Sequence, residues 1–330
     1  MDIFKNKSVL VTGGTGSFGN KFVGTALAKF KLKKLVIFSR DEFKQHEMAK
    51  VFPRDKYPQL RYFLGDIRDK DRLLRAFEGI DYVIHAAALK QVPALEYNPT
   101  EAVKTNILGA DNIVDAAIDR GVKKVIALST DKAVSPINLY GATKLAAEKI
   151  FIAANSYAGG KAKFAVVRYG NVIGSRGSVI PYYISLKNKG IREFPVTDKL
   201  MTRFWITLEQ GVDLVIKALE LSEGGEVFVP RIPSMKITDL AKAIEPRCTF
   251  KIIGIRPGEK MHETLLSEDE ARNTKAVDGL YVILPQFVEE KSLVEKYKKY
   301  NFVPAAFVYR SDRNDKVLTI EDLRSLIRKI

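Results

Sequence analysis

A chain of 330 residues, 46% hydrophobic and 28% charged, can bury a sizeable core and has the length of two domains. The formal charge of +15 would suit nucleic acid, an anionic membrane or anionic small molecules, and alone does not choose among them. Its basic residues are scattered through segments such as "LAKFKLKKL" and "EKYKKYNF", without an arginine-rich arm, which argues against nucleic acid as a partner. The lack of any apolar run of about eighteen residues or of a secretory leader pattern, together with a single Cys248, leads to the expectation of a cytoplasmic protein with no membrane partner.

In chain order, "SVLVTG" reads as a short buried strand ending in glycine, and Asn20 to Lys29 as a helix. Strands follow at "KLVIFSR", "LRYFLGD", "DYVIHAAA", "KKVIALST" and "FAVVRYGNV". Helical segments such as "TEAVKTNILGADNIVDAAIDRG" separate them. Strands apolar at consecutive positions, alternating with helices, predict an α/β, Rossmann-type doubly wound parallel sheet covered on both faces. After Asn171 the alternation loosens and Pro and Gly become frequent. The expected division is a dinucleotide-binding domain over 1–171 and a smaller α/β substrate lobe over 172–330, with the chain returning to the first domain around 204–250.

The first strand enters "VTGGTGSFG", which spaces Gly13, Gly16 and Gly19 as G-x-x-G-x-x-G. Glycine serves where the chain turns tightly, where backbone approaches a pyrophosphate and where helix packs closely on strand. The following helix then offers its free N–H groups to the phosphates. "SRDEFK" closes the second strand. Arg40, with Ser39 and Lys44, offers a site for a 2′-phosphate, so NADP is preferred to NAD, although Asp41 could instead hold a ribose hydroxyl or cap the next helix. Asp66 and Ile67 are placed for the adenine, and the small Ala86, Ala87 and Ala88 would let backbone pass the ribose and nicotinamide.

"LSTDKAVSPINLYGATK" puts Tyr140 and Lys144 at i and i+4 on one helix face. An ammonium beside a phenol favours the phenolate, making Tyr140 a candidate base. One cysteine and three scattered histidines predict no metal site.

With the glycine turn and the Y-x-x-x-K pair, the sequence resembles the extended short-chain dehydrogenase/reductase superfamily. The segments "SRDE", "HAAALK", "ALSTDKA", "PINLYGATK", "VRYGNVIGSRGSVIP", "MTRFWIT" and "IRPGEKMHE" make it similar to the inverting UDP-N-acetylglucosamine 4,6-dehydratases. That resemblance implies the first step of pseudaminic acid synthesis for flagellin glycosylation, giving UDP-2-acetamido-2,6-dideoxy-β-L-arabino-hex-4-ulose. It further implies a tightly held NADP regenerated at each turnover, and a homo-oligomer.

The resemblance also implies residue roles. Tyr140 with Lys144 would take the C4 hydroxyl proton, Lys132 the C5 proton, and Asp131 would help the C6 hydroxyl leave, with Thr130 beside them. Thr15, Ser17, Phe18, Lys90, Asn106 and Val172 would join the cofactor site. Lys90, Tyr140, Asn171, Gly177, Ser178, Val179, Ile180, Pro181, Thr197 and Met201 would surround the UDP-sugar. Arg203 and Arg256 would neutralise its diphosphate, and Glu259 would accept from the ribose hydroxyls. Retaining relatives carry Asp-Glu where this chain has Asp131-Lys132. The alternatives are a UDP-N-acetylhexosamine 4-epimerase, which has no need of that pair, and a non-catalytic NADP-binding regulator.

Overall fold

The computed structural model describes residues 2–174, 178–286 and 291–328. Six parallel strands alternate with helices as the apolar runs predict: β1 (Ser8–Thr12), β2 (Lys34–Ser39), β3 (Leu60–Leu64), β4 (Tyr82–His85), β5 (Lys124–Thr130) and β6 (Lys163–Tyr169). After them come β7 (Asn171–Val172), β8 (Glu193–Val196), β9 (Thr202–Ile206), β10 (Val227–Pro230), β11 (Ser234–Lys236), β12 (Thr249–Ile252), β13 (Thr264–Leu266), β14 (Thr274–Val277), β15 (Leu280–Ile283) and β16 (Tyr309–Arg310).

The main sheet has nine strands in the order β14-β15-β10-β6-β5-β4-β1-β2-β3. It is parallel from β3 to β10, and the β14–β15 hairpin joins β10 antiparallel at one edge. The strand order reverses between β1 and β4. The crevice at the carboxyl ends of the strands there is where doubly wound sheets bind ligands.

Two apolar clusters hold the molecule together. The larger packs both faces of this sheet and takes in the Leu208–Leu221 helix. The smaller gathers Ile180, Tyr183, Phe194, Trp205 and Met235 with Leu240 and Leu323 from the helices Ile237–Ile244 and Ile320–Ile327. Arg168, fully buried on β6, ties the layers. It donates to Glu148 on the Leu139–Tyr157 helix (2.6 Å), to Glu270 (3.0 Å) and to the Leu265 carbonyl (3.0 Å). Such a buried cation is tolerated because each donor has a partner.

The segment read as one helix after Thr100 is interrupted. Val103–Leu108 forms a π-helical turn between the helices Pro99–Ala102 and Gly109–Asp119. The wide turn presents Asn106, whose amide accepts from the Leu89 N–H (2.8 Å) and donates to the Leu89 carbonyl (2.9 Å) and to Thr143 Oγ1 (3.0 Å). A π-turn of this kind commonly marks a functional site. Among the described residues no helix is long and apolar enough to cross a membrane.

Candidate active site

A cavity of about 700 Å³ opens at the strand reversal. Its walls bring together Gly13, Thr15, Gly16, Ser17, Phe18, Gly19, Ser39, Arg40, Asp41, Lys44, Asp66, Ile67, Ala86, Ala87, Ala88, Lys90, Thr130, Lys132, Tyr140, Lys144, Asn171, Val172 and Ser178. Asn106 stands behind this wall, fixing Leu89. Asp131 lies beneath it, fully buried.

The glycine turn fits a dinucleotide. Gly13 has φ +64°, and a Cβ there would strike the Ala87 backbone N at 2.8 Å, so strand end and facing loop close up only because it is glycine. Gly16 caps the Ser17–Lys29 helix with no side-chain bond, which leaves the first N–H groups of that helix available to a pyrophosphate. These features accept a nicotinamide dinucleotide.

At the adenosine end, the Thr15 and Ser39 hydroxyls share a hydrogen bond (2.8 Å). Arg40, half exposed, reaches Asp66 at 3.5 Å. Asp41 does cap the next helix, accepting from the Lys44 N–H (2.9 Å) and pairing with Lys44 Nζ (2.7 Å).

At the other end, β5 stops at Thr130, the chain makes one tight turn over Asp131–Ala133, and Asn138 caps the Leu139–Tyr157 helix by accepting from the Gly141 N–H (2.7 Å). Gly141 presses on the Lys132 carbonyl, so a Cβ there would displace the turn that carries Lys132. The "RPGEK" segment clamps the same stretch from outside. Gly258 O accepts from Asn138 Nδ2 (2.7 Å), and Lys260 Nζ donates to Val134 O (2.6 Å).

Lys132 Nζ donates to Asp131 Oδ1 (3.0 Å) and lies 3.3 Å from Glu263 Oε1. Burial disfavours its charge, but the Asp131 and Glu263 carboxylates outweigh this and hold its pKa above the ordinary lysine value. Burial pushes Asp131 up, Lys132 pulls it down and Glu263 pushes it further up. The net direction is upward, which makes Asp131 easier to protonate than an ordinary aspartate. Burial raises the Tyr140 phenol, while Lys132 and Thr130 favour its ionised form. The sequence pattern assigns that pull to Lys144. In the structure Lys144 Nζ donates to Leu128 O (2.6 Å), and burial lowers its own pKa to about 8.

The remaining substrate candidates are more dispersed. Asn171 Oδ1 and Ser178 Oγ are buried without a partner among the described residues, as groups awaiting a ligand would be. Val179 and Pro181 begin the Val179–Asn188 helix, whereas Ile180 and Met201 are buried in the smaller core. Thr197 Oγ1 donates to Glu259 Oε2 (3.3 Å). Arg203 is buried and already engaged, with Glu259 at 3.3 Å, Glu263 at 3.8 Å and the Thr202 carbonyl at 2.8 Å. Arg256 is exposed. Gly177 lies outside the described residues.

Glu263 is the site residue that sequence reasoning passes over. It ends the "IRPGEKMHE" segment, yet as a lone acid after a histidine it carries no local signal.

The doubly wound nine-stranded sheet and the crevice at its strand reversal, lined by Tyr140 and Lys144, define a Rossmann-type α/β protein. More particularly, residues 9–285 match the family described as polysaccharide biosynthesis protein, and the chain belongs to that family. It is 52% identical over 334 residues to the UDP-N-acetylglucosamine 4,6-dehydratase (inverting) of Campylobacter jejuni, covering 98% of each chain. It is 40% identical to the UDP-glucose 4-epimerase of Rickettsia akari, over 98% of this chain and 96% of that one. Among solved structures, Pen from Bacillus thuringiensis superposes with a TM-score of 0.89 at 40% identity, covering 99% and 98%. The dTDP-glucose 4,6-dehydratase DesIV of Streptomyces venezuelae, solved with NAD bound, superposes at 0.73 with 20% identity, covering 97% and 96%, and shares the fold.

Proposed function

We propose that this protein is an inverting UDP-N-acetylglucosamine 4,6-dehydratase, acting in the first step of pseudaminic acid synthesis for flagellin glycosylation. The observation that carries this reading is the Asp131–Lys132 ion pair, 3.0 Å apart, with Asp131 fully buried and Lys132 at the wall of a dinucleotide cavity that Tyr140 also lines. The 52% identity to a relative of that name supports it. Residues 1–171 serve as the cofactor domain and 172–330 mainly as the UDP-sugar lobe. The protein works in the cytoplasm as a homo-oligomer, and exposed Tyr97, Val103 and Leu108 are apolar surface that a second copy would cover.

The C5 proton of a hexose is not acidic until C4 is a ketone, so oxidation must come first. Tyr140, with Lys144, takes the C4 hydroxyl proton. The bound nicotinamide supplies a hydride acceptor at C4 and, later, a hydride donor at C6. Lys132 then takes the C5 proton, the C6–O bond breaks, and Asp131 protonates the departing oxygen so that it leaves as water. Passing one proton from Lys132 Nζ to Asp131 Oδ1 creates both the amine base and the carboxylic acid, with no change in net charge. A solvent proton added to C5 on the opposite face would invert it, balanced by release of the proton that Tyr140 took from the C4 hydroxyl.

The Rickettsia relative favours a second reading, a UDP-sugar 4-epimerase using the same tyrosine. An epimerase needs no acid and base at C5 and C6, so it gives the Asp131–Lys132 pair no work. Incubation with UDP-N-acetylglucosamine followed by mass spectrometry decides. Loss of one water identifies the dehydratase, an isomer of unchanged mass the epimerase, and no product a binder.

NADP is the cofactor in this reading, because Ser39, Arg40 and Lys44 gather at the end of β2. Arg40→Ala is expected to weaken NADP by about tenfold, one charge-assisted bond, while leaving NAD nearly unchanged. Equal weakening in a titration of both cofactors would reject the 2′-phosphate assignment.

Arg256 and Arg203 stand toward the diphosphate. Exposed Arg256 is the freer of the two, since Arg203 is held by Glu259 and Glu263. Arg256→Ala is expected to raise KM by on the order of tenfold with cofactor content intact. An unchanged KM returns Arg256 to an ordinary surface charge.

A further inference from the structure

Glu263 sits where the mechanism above gives it nothing to do. It is 2% exposed and does not reach the cavity, yet its Oε1 lies 3.3 Å from Lys132 Nζ and its Oε2 has no partner among the described residues. Its own position is firmly built. The Glu263 N–H donates to Ser311 Oγ (3.0 Å), and Ser311 N–H donates to the Glu263 carbonyl (2.9 Å). Burying a carboxylate with half its lone pairs unpaired is costly unless charges answer it.

Three cations face Glu263: Lys132, Arg203 at 3.8 Å, and Lys260. Asp131 is the anion across Lys132 from it, and Lys90 adds a further positive charge near Lys132. Glu259 answers Arg203 at 3.3 Å. His262, next in the chain, turns away to Thr202 Oγ1 (2.8 Å). Three carboxylates, Asp131, Glu263 and Glu259, thus stand among four cations, Lys132, Lys260, Arg203 and Lys90. When Lys132 gives up its proton, Glu263 retains Arg203 and Lys260 and stays ionised.

We propose that Glu263 is a positioning residue, one that anchors the Lys132 side chain from behind and sets the pH range in which the Asp131–Lys132 pair works. This rests on the dehydratase reading, and it adds a buried carboxylate that touches neither substrate nor cofactor. The electrostatic direction is fixed by sign. A negative charge beside the pair favours every protonated form, so both the amine of Lys132 and the carboxylate of Asp131 appear at higher pH than they would without it.

The test is the pH profile of kcat for water elimination, followed by product mass. The limb that rises with pH reports loss of the first proton of the Asp131–Lys132 pair, and the limb that falls reports loss of the second. Glu263→Gln removes the charge and keeps the shape, and both limbs are expected to move to lower pH by about one unit. Glu263→Asp keeps the charge on a shorter arm, so its limbs should stay in place while kcat drops. Should Glu263→Gln fail to retain cofactor, Lys260→Met removes an opposing positive charge and should move both limbs to higher pH. Limbs unmoved in the folded Glu263→Gln protein, or in Lys260→Met where that variant must serve, overturn the assignment. A parent protein that eliminates no water overturns the dehydratase reading itself, a different outcome from an eliminating parent whose limbs ignore these charges.

Discussion

Replacing Lys132 with Ala is expected to stop dehydration while leaving the first oxidation intact. Turnover should fall by about 10²–10⁴-fold, the usual contribution of a positioned general base. Tyr140, Lys144 and the glycine turn keep their places, and Tyr140 loses only the Lys132 charge that favours its phenolate, so mixing the variant with UDP-N-acetylglucosamine should still reduce the bound nicotinamide, more slowly than in the parent. The absorbance of the reduced ring then accumulates instead of passing on to C6. In heavy water, deuterium should no longer wash into C5. The substitution also removes the cation bonded to Asp131, a fully buried carboxylate that would then resist ionising, whereas Glu263 keeps Arg203 and Lys260. Some loss of stability toward higher pH is therefore expected, since Asp131 ionises at its ordinary pKa in the unfolded chain and no longer does so in the folded one. The reduced-nicotinamide signal serves as the internal control, because only folded, loaded protein can give it. Normal turnover, or undiminished deuterium exchange, would show that Lys132 is not the C5 base.

Tyr140→Phe should fail one step earlier and by a comparable factor, about 10²–10⁴-fold. Without the phenol nothing takes the C4 hydroxyl proton, so no reduced nicotinamide appears when the sugar is added. Thr130 and Lys132, the groups that favour the phenolate, remain in place and bound cofactor should be retained. The two variants therefore separate cleanly. One stalls after hydride transfer and the other before it. A Tyr140→Phe protein that still bleaches or builds the reduced ring on adding substrate would move the C4 base elsewhere, with Lys132 the nearest candidate.

The local signals in the chain were strong where the physics is short-ranged. Six consecutive apolar runs with helices between them allow little but a parallel sheet covered on both faces, and the structure has it from β1 to β6. Gly13 at the end of the first strand is needed because the backbone takes φ +64° against Ala87, a requirement the G-x-x-G-x-x-G spacing already announces. Tyr140 and Lys144 share a face by helical geometry alone. Other features were illegible locally. The β14–β15 hairpin closes the sheet edge through pairing with β10; Asp278-Gly279 marks its tight turn, but four-residue strands carry too little periodicity to show that the hairpin pairs with a strand so distant in the chain. The π-helical turn at Val103–Leu108 lies inside a segment whose pattern reads as ordinary helix, because one extra residue in a turn hardly alters the apolar spacing.

By itself, then, the sequence determined which residue types stand at the ends of β1, β2 and β5, and with them the kind of cofactor and the residues proposed as the reacting pair. Only the tertiary structure decided how those groups are charged. Asp131 is made easier to protonate because the fold buries it completely, and Lys132 is held as an ammonium because the segment before β13 swings Glu263 to within 3.3 Å of it. The same packing draws Arg203 inward to Glu259 and Glu263 and leaves Arg256 exposed, although both arginines read alike in the chain. Secondary structure and turns follow from a few neighbouring residues, whereas a buried charge responds to every charge within several ångströms, and those neighbours are assembled only when distant segments pack.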